Sequence, residues 1–226
     1  MRIERELIVS VLKLTSGGCV SDELINKDAN LPSANARKLL GRLHNEGLLY
    51  LNSGIVEASG VQRLKLAMQA MQLGADPERV SGLLQWREFE AVASAALEQN
   101  GYSIARNLRF KHAERRWEID IVGSRKPMAV CIDCKHWRHG PHPSALKKIA
   151  EAQIERTYAL AQALPCLAGK TECASWKQAR LIPVVLSLTM GRTKFINDVP
   201  VVSILQLQDF LNQLPAYTDS LFSVKT

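Results

Sequence analysis

The sequence predicts an α/β fold in which a small domain of three helices and a hairpin precedes a mixed three-layer core. Apolar residues recur at helical spacing through most of residues 1–58, short strands and helices alternate from residue 86 onward, and residues 181–186 form a continuous apolar strand. The 226 residues, 46% of them hydrophobic, suffice for one large domain or two small ones. No apolar run approaches the ~20 residues that span a bilayer, so we expect a cytoplasmic protein without membrane contact.

Residues 1–58 are expected to form the small domain. Ser21 and Ser33 stand at N-cap positions before apolar periodic segments, and Gly47 ends the third helix. Asn52-Ser53-Gly54 then joins two short strands in a hairpin. This order of elements resembles a winged helix-turn-helix domain, and the resemblance rests on that order alone.

In winged helix-turn-helix domains the third helix enters the major groove of DNA, so the resemblance implies DNA contacts from this helix. The candidate side chains are Ser33, Asn35, Arg37, Lys38 and Arg42. Residues 1–58 hold seven basic and seven acidic residues, which leaves the segment without net charge. Because many winged helices bind proteins, a protein-interaction adaptor is an alternative for this domain.

Residues 59–85 are expected to form a helical linker, and residues 86–226 the second domain. Asp76-Pro77 has the N-cap and N1 proline that begin a helix within the linker. The second domain is expected to contain a helix from Trp86, strands at 104–110, 117–122 and 129–135, a long helix at 144–164, strands at 181–186 and 201–204, and a final helix at 205–214.

Basic charge concentrates around a few acids of the second domain. Residues 105–148 hold eleven Lys and Arg against four Asp and Glu, an excess of seven that equals the net charge of the whole chain. Phosphates need counter-charge and a divalent cation needs carboxylates, so the combination suits DNA held beside a metal. The candidate DNA contacts here are Arg115, Arg116 and Arg138; the alternative is a solvated basic surface.

Two adjacent predicted strands carry the candidate chemistry. Side chains alternate along a strand, so Asp120 shares a face with Glu118, and Asp133 shares a face with Lys135. Neighbouring carboxylates are costly to bury without a cation, and Mg²⁺ prefers oxygen ligands. We therefore expect Asp120, Asp133 and the backbone carbonyl of Cys134 to bind Mg²⁺ or Mn²⁺. Lys135 would orient or deprotonate a water, or stabilise charge on the phosphate.

Four motifs of the second domain resemble a known family. They are Trp86-Arg87-Glu88-Phe89-Glu90, Gly101-Tyr102, Glu118-Ile119-Asp120-Ile121-Val122 and Ile132-Asp133-Cys134-Lys135-His136-Trp137. They resemble the PD-(D/E)XK nuclease superfamily, especially Mrr-like restriction endonucleases and archaeal Holliday-junction resolvases. That family has a helix-borne Glu, a strand Asp and a following (D/E)-x-K, which here correspond to Glu90, Asp120 and Asp133-Cys134-Lys135. The resemblance implies a restriction-endonuclease-like fold and adds Glu90 to the catalytic and metal-binding residues.

Departures from the family pattern are small. Ile119 stands where the family often has proline, and Asp133 stands where Glu is commoner, yet both variations occur within the family. Glu88 is the alternative to Glu90 for the helix position. No departure removes a catalytic group, so the resemblance implies an active enzyme.

Other polar residues near the motifs have more than one interpretation. Gln153 occupies a position where related nucleases often carry an assisting residue, and His136 is a second candidate for that role. The pair Cys131 and Cys134, followed by histidines, resembles a zinc motif, but the two positions face opposite sides of one strand. Buried thiols are therefore the expectation for this pair.

The resemblance implies a metal-dependent endodeoxyribonuclease that hydrolyses DNA phosphodiester bonds in restriction or DNA repair. A homodimer is a further expectation, because two sites can then address two strands. The alternative function is a DNA-binding regulator whose nuclease-like domain does not catalyse. The complete set of acids argues against that alternative.

Overall fold

The computed structural model describes residues 2–76, 79–80, 82–135, 143–187 and 193–226. The chain divides into two compact units, Met1–Val92 and Ala93–Thr226. The division falls inside the helix Trp86–Gln99, so residues 59–85 group with the first unit. No helix in the described ranges is long and apolar enough to cross a membrane.

The first unit packs helices against a small antiparallel sheet. Its helices are α1 (Arg2–Leu14), α2 (Asp22–Ala29), α3 (Ser33–Asn45), α4 (Gly60–Gln72) and the start of α5 (Trp86–Gln99). Its strands are β1 (Val20–Ser21), β2 (Tyr50–Asn52) and β3 (Ile55–Glu57), in the order β1-β3-β2. The three predicted helices and the predicted hairpin are confirmed as elements.

The two predicted N-caps have different outcomes. Ser21 caps α2, since its hydroxyl accepts a hydrogen bond from the backbone N–H of Leu24. The prediction for Ser33 is wrong, because Pro32 is the N-cap residue and Ser33 is already helical. Pro32 has the extended ψ of 132° that an N-cap needs, so the helix begins at Ser33, one residue earlier than predicted. The hydroxyl of Ser33 instead accepts a hydrogen bond from Asn26 Nδ2 at 2.9 Å.

The second unit contains a seven-stranded mixed sheet in the described part of the chain. Its strands are β4 (Ser103–His112), β5 (Arg115–Arg125), β6 (Met128–Lys135), β7 (Arg180–Ser187), β8 (Phe195–Ile196), β9 (Val199–Ser203) and β10 (Val224–Lys225). The order is β4-β5-β6-β7-β9-β8, with β10 paired to β7. Pairing is antiparallel from β4 to β6 and parallel from β6 through β7 to β9. The predicted mixed α/β core is confirmed.

Helices cover both faces of this sheet. On one face, Cys131 of β6 shares a buried cluster with Leu160 of the long helix α6 (Pro143–Ala163). On the other face, Leu97 of α5 packs so closely on β5 that a Cβ at Gly123 would lie 3.1 Å from it. The sheet is thus the middle of three layers, and its two central strands are buried on both faces.

Several boundaries differ from the expectation by two or three residues. The strands β4 and β5 extend further than predicted, because Ala113 and Glu114 both adopt positive φ (47° and 60°) and make a two-residue turn between them. The last helix, α7 (Leu207–Tyr217), continues past Leu214 although Pro215 follows. A proline in a last turn removes one hydrogen bond there and does not by itself end the helix.

Candidate active site

The pairing of β5 with β6 brings two predicted acids together. Ile121 lies opposite Ile132 in the antiparallel register, and Asp120 and Asp133 come next along the two strands. Alternation places both carboxylates on the face opposite to these isoleucines. The backbone N–H of Cys134 donates a hydrogen bond of 2.8 Å to Asp120 Oδ2, which orients that carboxylate beside β6.

Asp133 is a buried carboxylate held between two cations. Its side chain is only 7% exposed. Lys135 Nζ donates to Oδ1 at 3.0 Å and lies 2.9 Å from Oδ2, and Arg156 Nη1 donates to Oδ1 at 3.1 Å. Hydrogen-bond geometry is met only at Oδ1, so Oδ2 is buried without a hydrogen bond from the described residues. A buried carboxylate oxygen without a hydrogen bond is uncommon, and such an atom often lies in a functional site.

Gln153 connects α6 by a hydrogen bond to β6, the strand that carries Asp133. The side chain is fully buried, and its Nε2 donates a hydrogen bond of 2.7 Å to the carbonyl of Cys131. Its Oε1 accepts from Arg156 Nη1 at 3.2 Å. The predicted assisting residue is therefore connected to Asp133 through Arg156.

Arg156 is a site residue that sequence reasoning missed. It lies three residues after Gln153 on α6, so the two side chains share one face of the helix. A search of that face for basic residues would have found it. Its contact with Asp133 joins the long helix directly to the candidate chemistry.

Strained backbone lies beside Asp120. Asn107 of β4 has φ 48°, and its neighbours Arg106 and Leu108 lie opposite Ile121 and Ile119. Asn107 is thus level with Asp120 in the register. A left-handed conformation is uncommon for residues other than glycine, although asparagine enters it at lower cost. Such strain tends to occur at functional sites, which is consistent with a role for this part of β5.

The two glutamates that compete for the helix position lie in the first unit, on α5. Both carboxylate oxygens of Glu88 are engaged: Arg63 Nε donates to Oε1 at 2.6 Å, and the backbone N–H of Gln85 donates to Oε2 at 2.8 Å. Glu90 accepts a hydrogen bond from the indole N–H of Trp86. Glu88 is therefore committed to the fold of the first unit, and Glu90 stays the candidate.

Two of the predicted metal ligands, Asp120 and Asp133, could hold a hard divalent cation. In the described ranges no three Asp, Glu, His or Cys side chains converge as a complete metal cluster. Mg²⁺ commonly takes one or two carboxylates and keeps several waters, so a full protein cage is not required. Asp120 and Asp133 supply two carboxylates, and the buried Oδ2 of Asp133 is an acceptor that a cation would satisfy.

The basic candidates of the second unit lie on the β4–β5 hairpin. The guanidinium of Arg115 stacks 4.0 Å from the centre of the Trp117 ring and lies 3.9 Å from Glu155. Arg116 is exposed and stands opposite Lys111. The candidates Arg138 and His136 lie outside the described residues.

The basic candidates of the first unit differ in their surroundings. Arg42 forms ion pairs with Glu4 and Glu46, and its hydrogen bond with Glu4 raises the pKa of the guanidinium. Arg37 is exposed and lies 3.6 Å from Asp22, while Lys38 is exposed. Arg42 thus ties α3 to α1, whereas Arg37 and Lys38 remain the more accessible candidates.

The cysteines of β6 are buried thiols, as predicted. Cys131 and Cys134 are both fully buried and free of disulfide bonds. Burial raises the pKa of the Cys131 thiol far above its usual range. A thiol that stays protonated is a poor metal ligand and a poor nucleophile.

Together, the mixed sheet, the strand acids and the adjacent lysine define the second unit as a nuclease-like domain. Residues 89–183 match the uncharacterised protein family UPF0102, which lies in the restriction-endonuclease-like PD-(D/E)XK superfamily. The chain is also 30% identical over 135 residues to an uncharacterized protein of Archaeoglobus fulgidus, a match that covers 59% of this chain and 95% of that protein. The chain therefore belongs to the same family as this archaeal protein.

A similar solved structure is that of protein VC1899 from Vibrio cholerae. It matches with a TM-score of 0.37 and 15% sequence identity, over 97% of this chain. The chain spans 57% of the length of that protein.

Proposed function

We propose that the protein is a metal-dependent endodeoxyribonuclease that acts in restriction or DNA repair. One observation carries the proposal: Asp120 and Asp133 lie next to each other on paired strands, with the ammonium of Lys135 on Asp133. Two carboxylates that can hold a divalent cation, with a lysine beside them, are suited to hydrolysis of a phosphodiester by water. Membership in a nuclease-like family supports the same conclusion.

The residues proposed to hold Mg²⁺ or Mn²⁺ are Asp120, Asp133, the backbone carbonyl of Cys134, and Glu90 from α5. When bound, such an ion lowers the pKa of a water and offsets the negative charge of the scissile phosphate. The protein's own part is to hold these groups in place before substrate arrives. The hydrogen bond from the Cys134 N–H orients Asp120, and Gln153 anchors β6 behind Asp133.

Lys135 is proposed to act on the substrate or on the attacking water. Its ammonium group contacts Asp133 at one end of the site, and 30% of its side chain is exposed. It can therefore reach a phosphate oxygen or a water without a change in the strand. Stabilisation of the charge that develops on the phosphate, or proton transfer with the water, would lower the barrier.

The first unit is proposed to guide the choice of DNA substrate or partner. Its order of helices and strands resembles that of a winged helix, and Arg37 and Lys38 of α3 are exposed. A homodimer would present two such units and two sites to duplex DNA.

Plasmid cleavage tests the nuclease proposal. Supercoiled plasmid and a branched DNA are incubated with wild type or Asp133→Ala in Mg²⁺ or Mn²⁺. We expect wild type to nick or cut at least one substrate, and Asp133→Ala to lose this activity. Asp209→Ala is the matched control, because Asp209 is an exposed acid on α7 of the same unit. Equal cleavage by wild type and Asp133→Ala would refute the assignment.

A second candidate function is a DNA-binding regulator that does not cut. It is favoured by one observation, since Lys135 and Arg156 already neutralise Asp133 within the protein. Calorimetric titration with Mn²⁺ separates the two candidates. Tight DNA binding without metal binding supports the regulator, whereas metal binding that Asp133→Ala abolishes supports the nuclease.

A further inference from the structure

Arg156 uses only one of its three guanidinium nitrogens within the described chain. Nη1 donates to Asp133 Oδ1 at 3.1 Å and to Gln153 Oε1 at 3.2 Å. Nε and Nη2 make no hydrogen bond with the residues that the structure describes, and the side chain is 29% exposed. Nη1 of the planar guanidinium is thus held by two acceptors, while the N–H groups of the Nε–Nη2 edge can donate to a ligand.

The support beneath Arg156 is rigid. Gln153, which accepts from Nη1, is fully buried and holds the backbone carbonyl of Cys131 on β6. Thr157, also fully buried, donates its hydroxyl to the carbonyl of Gln153 at 2.8 Å. Because Nη1 donates two hydrogen bonds, the orientation of the guanidinium is restricted. Its planar pair of N–H donors on Nε and Nη2 matches two phosphate oxygens better than an ammonium does.

Arg156 is one of two cations in contact with Asp133. Lys135 Nζ lies 2.9 Å from this carboxylate, and Arg156 Nη1 lies 3.1 Å from it. With Asp120 on the neighbouring strand, two cations face two carboxylates, so this cluster of four residues carries no net charge. The two carboxylates therefore leave no net negative charge that would repel a phosphate from Arg156.

We propose that Arg156 is a substrate-positioning residue that binds a phosphate of the polynucleotide through its Nε–Nη2 edge, with Nη1 kept on Asp133 and Gln153. The inference rests on the proposed function, because it makes DNA the ligand of the same site. It adds α6 to the elements that recognise substrate. It also gives Gln153 a defined task, which is to orient the guanidinium rather than to contact the substrate.

DNA binding without cleavage tests this role. A fluorescent duplex is titrated in EDTA, and again in Ca²⁺, with wild type, Arg156→Gln, Arg156→Lys and the control Lys148→Gln. Lys148 is an exposed lysine of the same helix, so its loss removes one charge away from the cluster. We expect Arg156→Gln to weaken binding by about tenfold or more. The slope of log K against log salt concentration should fall by about one.

The remaining variants separate phosphate binding from a structural role. Arg156→Lys should keep the salt slope but recover only part of the affinity, because an ammonium lacks the fork. Lys148→Gln should stay within about threefold of wild type, as a single distant charge does. If Arg156 only held Asp133 in place, Arg156→Gln would lower kcat or thermal stability and leave affinity and salt slope unchanged. That result would overturn the proposal.

The same panel distinguishes failure of this role from failure of the nuclease function. Suppose that wild type cuts DNA, and that Arg156→Gln binds and cuts DNA as well as the control Lys148→Gln does. The proposed nuclease function is then supported, and the proposed role of Arg156 is refuted. If no protein cuts but Arg156→Gln alone loses affinity, the nuclease is refuted and the phosphate contact stands. If wild type fails to bind DNA at low salt, both are refuted.

Discussion

Two arginine–carboxylate pairs, one in each unit, differ in how completely they are satisfied. In the first unit, Arg63 is 2% exposed and Glu88 is 13% exposed. Arg63 donates to Glu88, to the hydroxyl of Thr15, and to the carbonyls of Leu12 and Leu83, all between 2.6 and 2.7 Å. Every nitrogen of this guanidinium has a partner, and so does each oxygen of Glu88.

The pair Arg156–Asp133 in the second unit is left incomplete. One oxygen of Asp133 is buried without a hydrogen bond, and two nitrogens of Arg156 have no partner in the described ranges. A buried ion pair that is fully satisfied joins elements of a fold, whereas an incomplete pair at an accessible place has capacity for a ligand. The comparison indicates that Arg63 and Glu88 stabilise the fold of the first unit, and it supports the roles proposed for Arg156 and Asp133.

The largest effect is expected on stability, from Arg63→Met. The substitution leaves Glu88 largely buried without its counter-ion and frees three acceptors of the first unit. We expect a loss of about 3–5 kcal/mol in the free energy of unfolding, measured by urea denaturation. Arg156→Met is the matched comparison, and it should cost about 1 kcal/mol or less, because Lys135 still neutralises Asp133. Similar losses in both variants would break the distinction between the two pairs.

The next effect concerns catalysis, from Lys135→Ala. Loss of the ammonium should lower kcat for plasmid cleavage by about 10²–10³-fold, the size found for removal of one group that stabilises transition-state charge. DNA affinity in Ca²⁺ should change little, since Arg156 remains. Lys148→Ala serves as the control for loss of one charge. An unchanged kcat would remove Lys135 from the chemistry, and a protein that no longer unfolds cooperatively would reveal a structural role.

Tyr102 tests whether an unpaired buried polar atom is by itself a sign of function. Its hydroxyl is buried without a hydrogen bond from the described chain, and Arg125 lies 5.8 Å from the centre of its ring. Tyr102→Phe should leave cleavage unchanged and raise stability by up to about 1 kcal/mol, because it removes a desolvated hydroxyl. Reduced cleavage would show that the hydroxyl takes part in the site.

Tyr102→Phe should also change how the free energy of unfolding depends on pH. Burial raises the pKa of Tyr102, and the charge of Arg125 opposes only part of that rise. Because the folded pKa lies above the unfolded value of 10.0, the folded state retains the proton longer. The stability of wild type is therefore unaffected by this group below pH 10. It falls as the pH rises from 10 through the folded pKa, because only the unfolded state releases the proton readily there. Tyr102→Phe should therefore lose less stability than wild type between neutral pH and pH values above 10.

The smallest effect is expected for an ion pair with good geometry but no burial. Arg109 contacts Glu118 through two hydrogen bonds, at 3.0 and 3.2 Å, and its side chain is 76% exposed. Water screens such a pair, so Arg109→Ala should leave the thermal midpoint unchanged within error. A clear loss of stability would mean that geometry, rather than burial, ranks the pairs of this protein.

Local pattern was enough to predict most of the candidate site. Asp120, Asp133 and Lys135 lie on two strands joined by a short turn, so alternation and hairpin pairing determine which side chains meet. Buried thiols at Cys131 and Cys134 follow from the same alternation. The N-cap at Ser33 failed because the conformation of the preceding proline decides the helix start, and the serine pattern does not report it.

The sequence by itself determined the fold class, the order of elements, and the neighbouring acids with their lysine, because each depends on residues close along the chain. Only the tertiary structure decided the partners of the two arginines. Arg156 and Asp133 are separated by 23 positions, and Arg63 and Glu88 by 25. Their pairing depends on how a helix packs against a strand or another helix, and such packing is set by the whole core rather than by any local period.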